Sequence, residues 1–117
     1  MHNYKDLKVW TLSMDIAEAI YQLTSTFPSD EKFGLVSQMK RASVSIVSNI
    51  AEGAGRNSNK EFSQFLSIAN GSVCEIETQL ILAQRLKMIQ NNGNLEVLFD
   101  KLDHLQKMIF NLKGRLN

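Results

Sequence analysis

The sequence predicts an all-α protein, a single-domain antiparallel four-helix bundle with up-down-up-down connectivity. Apolar residues recur at helical spacing in four segments, about 7–26, 31–53, 59–87 and 95–113, which three short breaks separate. The chain has only one proline, and its 117 residues (1–117) suffice for one hydrophobic core. Because short connections make consecutive helices antiparallel neighbours, the bundle is the expected architecture.

The first predicted helix carries two neighbouring apolar rows. Asp6 is a candidate N-cap, and Phe27 ends the helix because the residue before Pro28 is disfavoured in the α region. Two rows are wider than one packing seam needs, which fits either contact with another subunit or a central place in the bundle. The rows contain Trp10, Met14, Ala17, Tyr21 and Thr24, and Val9, Ile16, Ile20, Leu23 and Phe27.

The second predicted helix is rich in small residues, and Ser29 and Asp30 are its candidate caps. Small side chains allow close approach of neighbouring backbones, so we expect this helix to lie deep between partners. Asn49 and Glu52 share a face, and we interpret them as a structural polar pair that fixes helix register or ties down the next loop. The alternative is a polar site at a subunit boundary.

The third and fourth predicted helices begin with clear signals. Ser58 and Glu61 match a capping box, and Gly71 in the middle of the long third helix suggests a close helix crossing. The segment Asn91-Asn92-Gly93-Asn94 predicts a stop and a restart. A heptad seam follows, formed by Leu95, Leu98, Leu102, Leu105, Ile109, Leu112 and Leu116.

Residue patterns for catalysis or metal binding are missing from the sequence. Di-iron bundles need Glu-x-x-His motifs, whereas the chain has only His2 and His104. Cys74 falls in mid-helix without a basic neighbour, so we interpret it as a small packing residue. The loop 53–58 lacks the ending of a phosphate-binding P-loop, although the helix start after it could accept an anion. We expect a protein that is not an enzyme and needs no cofactor.

Three features favour a cytoplasmic protein with no membrane partner. No apolar run approaches the roughly 20 residues that span a bilayer. The first residues lack the apolar core of a signal peptide. The single cysteine cannot form an internal disulfide, which fits a reducing compartment.

The charge balance is nearly neutral, with 13 basic and 12 acidic residues and a net charge of +1. Nucleic-acid binding would therefore require local clustering of the basic residues. One subunit has no continuous basic stripe, but a ring of subunits would repeat a small cluster into a large positive surface. The alternative is a solvated surface of mixed charge. The candidate nucleic-acid-binding residues are Lys40, Arg41, Arg56, Lys60, Arg85 and Lys87.

Several motifs between about residues 4 and 89 resemble one protein family, the bacterial four-helix-bundle proteins called 23S rRNA intervening-sequence proteins. Ser48-Asn49-Ile50-Ala51-Glu52-Gly53 is the most specific of them. Val47 stands where family members commonly have proline, and Asn70 where they commonly have arginine. The other motifs are Leu7-Lys8-Val9-Trp10, the block 27–53, Lys60-Glu61-Phe62, the segment 65–72, Glu75 and the segment 77–80.

The resemblance implies a function as well as a fold. The family is similar in fold to the accessory variability determinant proteins of diversity-generating retroelements, which form pentameric rings and act with a reverse transcriptase and nucleic acid. By this resemblance the protein is a non-enzymatic homo-oligomer, a pentamer, with RNA or DNA and a reverse transcriptase or other protein as candidate partners. One hypothesis is salt-dependent binding of phosphates with little base preference. The other is a protein-interaction scaffold that binds no nucleic acid.

Overall fold

A computed structural model describes residues 1–31, 33–90 and 92–117, and these fold into four α-helices, which confirms the predicted all-α class. Short 3₁₀ turns, Tyr4–Asp6 and Ser29–Glu31, precede the first two helices. The four helices are α1 (Lys8–Thr24), α2 (Leu35–Ala54), α3 (Asn59–Arg85) and α4 (Gly93–Leu116).

The four helices form an antiparallel bundle of 43 × 26 × 20 Å, in which each helix packs against the next and α4 packs against α1. Side-chain contacts define the register between neighbouring helices. The hydroxyls of Ser45 and Ser72 are 2.9 Å apart between α2 and α3. Gln106 on α4 donates to Glu77 on α3 at 2.7 Å. The α2–α3 contact is the most extensive of the four.

The core lies along the axis of the bundle, and the apolar rows predicted from the sequence supply it. The heptad of α4 is buried from Leu95 to Leu112, and Leu116 is half-buried at the end of the helix. The largest fully buried side chains are Phe62, Ile16, Ile20, Met39, Ile46, Ile50, Leu66, Ile76, Leu80, Leu102, Leu105 and Ile109.

α2 begins at Leu35, four residues later than the sequence pattern predicts. Ser29 and Asp30 belong to the 3₁₀ turn that follows Pro28 instead of capping α2. Gly34 precedes the helix with backbone angles of φ −102° and ψ −110°, outside the helical region, and provides no side-chain cap. The 3₁₀ turn therefore includes Glu31, the residue at which the sequence pattern places the start of this helix.

The close helix crossing predicted at Gly71 lies instead at Gly53. Gly71 is exposed, and a Cβ atom placed on it would meet nothing within 4 Å. A Cβ atom on Gly53 would lie 2.6 Å from the Cβ atom of Phe65 and 3.0 Å from Cδ1 of Phe62. The absence of a side chain at Gly53 therefore allows α2 and the start of α3 to approach closely.

α3 ends at Arg85, two residues before the predicted end, in a Schellman turn. The amide of Met88 donates to the carbonyl of Ala83 at 2.9 Å, and the amide of Lys87 donates to that of Gln84 at 3.0 Å. Lys87 adopts a left-handed conformation with φ 60°. In the loop that follows, Asn91 lies outside the described residues, and Asn92 caps α4 by accepting from the Leu95 amide at 3.0 Å.

The N-cap predicted for α3 is confirmed, because the Ser58 hydroxyl accepts a hydrogen bond from the Glu61 amide at 3.1 Å. Replacing Ser58 with alanine leaves this amide without its cap, so we expect the free energy of unfolding to fall by about 1 kcal/mol. Urea denaturation measures the change. Ser48→Ala is the matched control, since Ser48 is exposed in the middle of α2. Equal destabilisation by the two substitutions would contradict the capping role.

Candidate nucleic-acid interface

The basic residues predicted to bind nucleic acid lie in two separate regions of the bundle. Arg56 and Lys60 flank the turn between α2 and α3. Arg85 and Lys87 lie at the opposite end of α3, and Lys40 and Arg41 lie in the first half of α2. A single subunit therefore does not bring the six predicted residues together.

The four predicted residues that lie away from the α2–α3 turn are themselves spread out. They are Lys40, Arg41, Arg85 and Lys87. The Ser45–Ser72 contact places Arg41 level with about residue 76, so Arg85 lies about 14 Å farther along the axis at 1.5 Å per residue. The Lys40 ammonium lies 5.0 Å from the ring centroid of Tyr21, and Lys40 is half-buried. These residues are separate surface cations and form no common site.

A denser group of cations surrounds the α2–α3 turn, and we call this region the basic end. It comprises the first turn of α1 with the 3₁₀ turn before it, the α2–α3 turn with its flanking helix turns, and the last turn of α4. Only Asp6, Glu52 and Glu61 are acidic there, so six cations against three carboxylates leave a net charge of +3. The cations are Lys5, Lys8, Arg56, Lys60, Lys113 and Arg115.

The N-terminal segment joins the basic end through direct contacts. The His2 amide donates to the carbonyl of Ala54 at 2.8 Å, at the end of α2. The His2 ring also lies 5.1 Å from the ring of Phe62, in the first turn of α3. These contacts place Lys5 and Lys8 beside the α2–α3 turn, although they are about 50 residues from Arg56 in the chain.

The cations of the basic end differ in whether neighbouring side chains contact them. Arg56 pairs with Glu52 at 3.0 Å, and its guanidinium lies 4.9 Å from the ring centroid of Phe65. The Lys113 ammonium donates to the hydroxyl of Ser67. The remaining four cations are exposed, and none of them forms an ion pair with the described residues. These four are Lys5, Lys8, Lys60 and Arg115.

Sequence reasoning missed four members of the basic end, Lys5, Lys8, Lys113 and Arg115. They come from the first and the last segments of the chain, so no local charge cluster marks them. The predicted topology, however, indicates that these residues lie together. In an up-down-up-down bundle, the start of α1 and the end of α4 lie at the same end as the α2–α3 turn.

Asn49 and Glu52 have different partners and do not bond to each other as a pair. The Asn49 amide donates to the carbonyl of Ser45 at 2.8 Å and to its hydroxyl at 3.1 Å. The Ser45 hydroxyl contacts Ser72 on α3, so Asn49 supports the α2–α3 register. Glu52 is exposed and holds Arg56 in the following turn.

The described residues give little support to a role for Cys74, to metal binding or to a membrane crossing. Cys74 is exposed, so the interpretation as a packing residue does not hold for a single chain. Within residues 1–31, 33–90 and 92–117, no three His, Cys, Asp or Glu side chains come together as a metal site. None of the helices in those ranges combines the length and apolar character that a membrane crossing requires.

α3 also carries an exposed apolar surface, which we call the α3 face. It consists of Leu82 and Leu86, which are one turn apart, together with Ile68 on the same side of α3 about 21 Å nearer the start of the helix; each is about half exposed. These residues lie on the side of α3 that faces away from the core formed by Leu66, Val73 and Leu80. Leu82 and Leu86 adjoin each other on the helix surface, and adjoining exposed apolar side chains are a feature of surfaces that contact another protein.

Comparison with known proteins identifies one family. The family model described as 23S rRNA-intervening sequence protein matches residues 5–111 of the chain. A search of the curated proteins gives no match. The matched range runs from the 3₁₀ turn before α1 into the last two turns of α4, so it includes most of the bundle.

Proposed function

The chain belongs to the family of 23S rRNA-intervening sequence proteins, and on that premise we propose that it is a cytoplasmic, non-enzymatic homo-oligomer that binds RNA or DNA electrostatically. In this proposal the oligomer is a pentamer of four-helix bundles. The observation that carries the binding proposal is the convergence of six cations at the basic end, with a local charge of +3 in a chain of net charge +1.

Binding at the basic end follows from the chemistry of phosphates. The exposed ammonium and guanidinium groups of Lys8, Lys60 and Arg115 can each contact a phosphate oxygen. Such contacts release condensed counterions, so the affinity falls steeply with salt, and they position the protein without reading sequence. The free amides at the start of α3 add hydrogen-bond donors for a phosphate. Symmetry would repeat the cluster once per subunit.

The α3 face supports the oligomer in the same proposal. Its three apolar side chains are about half exposed in the single chain, and burying them against a second copy would remove that surface from water. The same face also favours the alternative function, a scaffold that holds a reverse transcriptase or other protein and binds no nucleic acid. The two functions differ in whether the basic end is needed.

A salt titration tests the proposed binding. Purified, nucleic-acid-free protein is titrated against a fluorescein-labelled RNA hairpin and a DNA duplex, and anisotropy is read at several salt concentrations. We expect the logarithm of the association constant to fall linearly with the logarithm of salt concentration, with a slope of several units, because several phosphates are neutralised together. Absence of binding at low salt overturns the proposal and leaves the scaffold as the function.

Charge reversal at the basic end is expected to reduce that slope. In the double substitution Lys8→Glu with Lys60→Glu, up to two phosphate contacts are lost, so the slope should fall by about 1–2 units and the affinity should fall with it. Both residues lie in the first turn of a helix, where a carboxylate is favourable, so the fold should persist.

The matched control is the double substitution Arg85→Glu with Lys87→Glu, which changes the charge by the same amount at the opposite end of the bundle. We expect it to leave the slope close to that of the unmodified protein. Equal losses from the two double substitutions would show that binding does not depend on the basic end. Urea denaturation of each variant monitors the fold.

A further inference from the structure

We infer that a groove between α3 and α4 binds an unpaired nucleobase of a single-stranded nucleic acid, with the ring of Phe110 as its stacking surface. This inference rests on the proposed function and specifies it, because it assigns preference for an unpaired strand over a duplex. The groove has a volume of about 620 Å³, and Ser67 and Asn70 on α3 line it opposite the segment 106–113 of α4.

Phe110 gives the groove an accessible aromatic surface. Its side chain is 77% exposed, whereas Ile109 and Leu112 in the same helical turn are buried. The ring therefore lies at the edge of the groove and stays accessible. Aromatic rings in this situation are the surfaces on which single-stranded nucleic acids stack their bases, because every base has a flat face.

Asn70 lines the same groove and has an unsatisfied polar atom. Its Oδ1 atom is buried and has no hydrogen-bond partner among the described residues. Buried acceptors are normally paired, so this atom lacks a donor. The exocyclic amine or ring N–H of a base that entered beside Asn70 would provide the donor with a small adjustment of the amide. A purely apolar ligand would leave this oxygen unpaired.

The charges around the groove suit a phosphodiester strand. Lys113 lines the groove and also belongs to the basic end, so it connects the two surfaces. Asp103 is the acidic residue of the lining, and Lys107 pairs with it at 3.1 Å. A strand whose phosphates lie on the basic end would therefore reach the groove without meeting an unpaired carboxylate there.

The composition of the groove favours a base over an apolar peptide helix. Besides Phe110, its one apolar lining residue is Ile109, which is only 1% exposed. The rest of the lining consists of hydroxyl, amide and charged side chains. An amphipathic helix docks through several apolar anchors, whereas a base needs one flat apolar surface and polar groups at its edge.

The test compares a fluorescein-labelled single-stranded oligouridylate with an RNA duplex of equal length, using full-length protein and anisotropy at low salt. We expect the protein to bind the single strand more tightly than the duplex. The substitution Phe110→Ala should weaken single-strand binding about 5- to 150-fold through loss of one stacked base. It should leave the salt slope unchanged, because no phosphate contact is lost.

Two further variants test the aromatic role. Phe110→Tyr keeps a flat ring and should retain single-strand affinity, whereas Phe110→Leu keeps apolar bulk and should lose it as Phe110→Ala does. Phe33→Ala is the matched control, since Phe33 is 89% exposed near the start of α2, at the other end of the bundle. It should leave binding of both nucleic acids unchanged.

The outcomes separate this inference from the proposed function. If the protein binds neither the single strand nor the duplex, the proposed function fails and the base site fails with it. If it binds the duplex at least as well, or if Phe110→Ala has no more effect than Phe33→Ala, the electrostatic function stands and the base site is overturned. Equal weakening of both nucleic acids by Phe110→Ala also overturns the base site.

Discussion

Replacing Phe62 with alanine is expected to lower the free energy of unfolding by about 3–5 kcal/mol. Phe62 is 1% exposed and is among the largest buried side chains of the core. Its removal leaves a cavity at the first turn of α3, next to the close approach of Gly53. The same ring contacts His2, so the N-terminal segment should loosen as well. Because domains of this size are stable by only about 5–15 kcal/mol, a large part of the stability depends on this one ring.

Urea denaturation followed by circular dichroism measures the loss, and Phe110→Ala is the matched control. It removes the same atoms from a position that is 77% exposed, so its effect on the free energy of unfolding should stay within about 0.5 kcal/mol. Comparable destabilisation by the two substitutions would show that Phe62 is not a core residue in solution.

The substitution Gly53→Ala is expected to lower the free energy of unfolding by about 1–3 kcal/mol, although alanine is the better helix former. The new Cβ atom would lie 2.6 Å from the Cβ atom of Phe65, a separation that two such carbon atoms do not tolerate. Neither atom is at the end of a flexible side chain, so α2 and α3 must move apart. That movement would weaken the most extensive helix contact of the bundle.

Gly71→Ala makes the same chemical change in an open position, and its effect should have the opposite sign. A Cβ atom there meets nothing within 4 Å, so the gain in helix propensity is expected to raise the free energy of unfolding by about 1 kcal/mol. Thermal denaturation of both variants gives the comparison. Stabilisation by Gly53→Ala would mean that the two helices are farther apart in solution than this packing requires.

Features determined by neighbouring residues were predictable from the sequence. The seam of α4, from Leu95 to Leu112, follows from the three- and four-residue spacing of its leucines, since that spacing places them on one face. The Ser58 cap needs only the Glu61 amide three residues away. The fold class follows from these local patterns, because four apolar helix faces with short connections can bury themselves in few other ways.

Features determined by distant residues were not predictable in the same way. The sequence shows glycines at positions 53 and 71, but only the register between α2 and α3 decides which one another helix approaches. Asn49 and Glu52 share a helix face, yet their partners depend on Ser72 in the next helix and on the shape of the turn at Arg56. Such contacts depend on packing between elements, which helical periodicity does not specify.

The basic end was missed for a related reason. Along the chain, 13 basic and 12 acidic residues nearly cancel, whereas the basic end draws its excess of positive charge from three separate segments. Of the six residues predicted as a nucleic-acid surface, only Arg56 and Lys60 belong to that end. Position in the topology, and not closeness in sequence, decides which charges act together.

The uneven charge of the two ends means that the type of symmetry determines what an assembly presents to its surroundings. In a cyclic assembly whose bundles run along the rotation axis, every bundle points the same way, so all Lys8 and Lys60 side chains would lie on one side of the assembly. Such a particle would carry a large electric dipole and would bind a polyanion with a single face. Under dihedral symmetry half of the bundles are inverted, so the dipole cancels and two equivalent faces could each hold a strand.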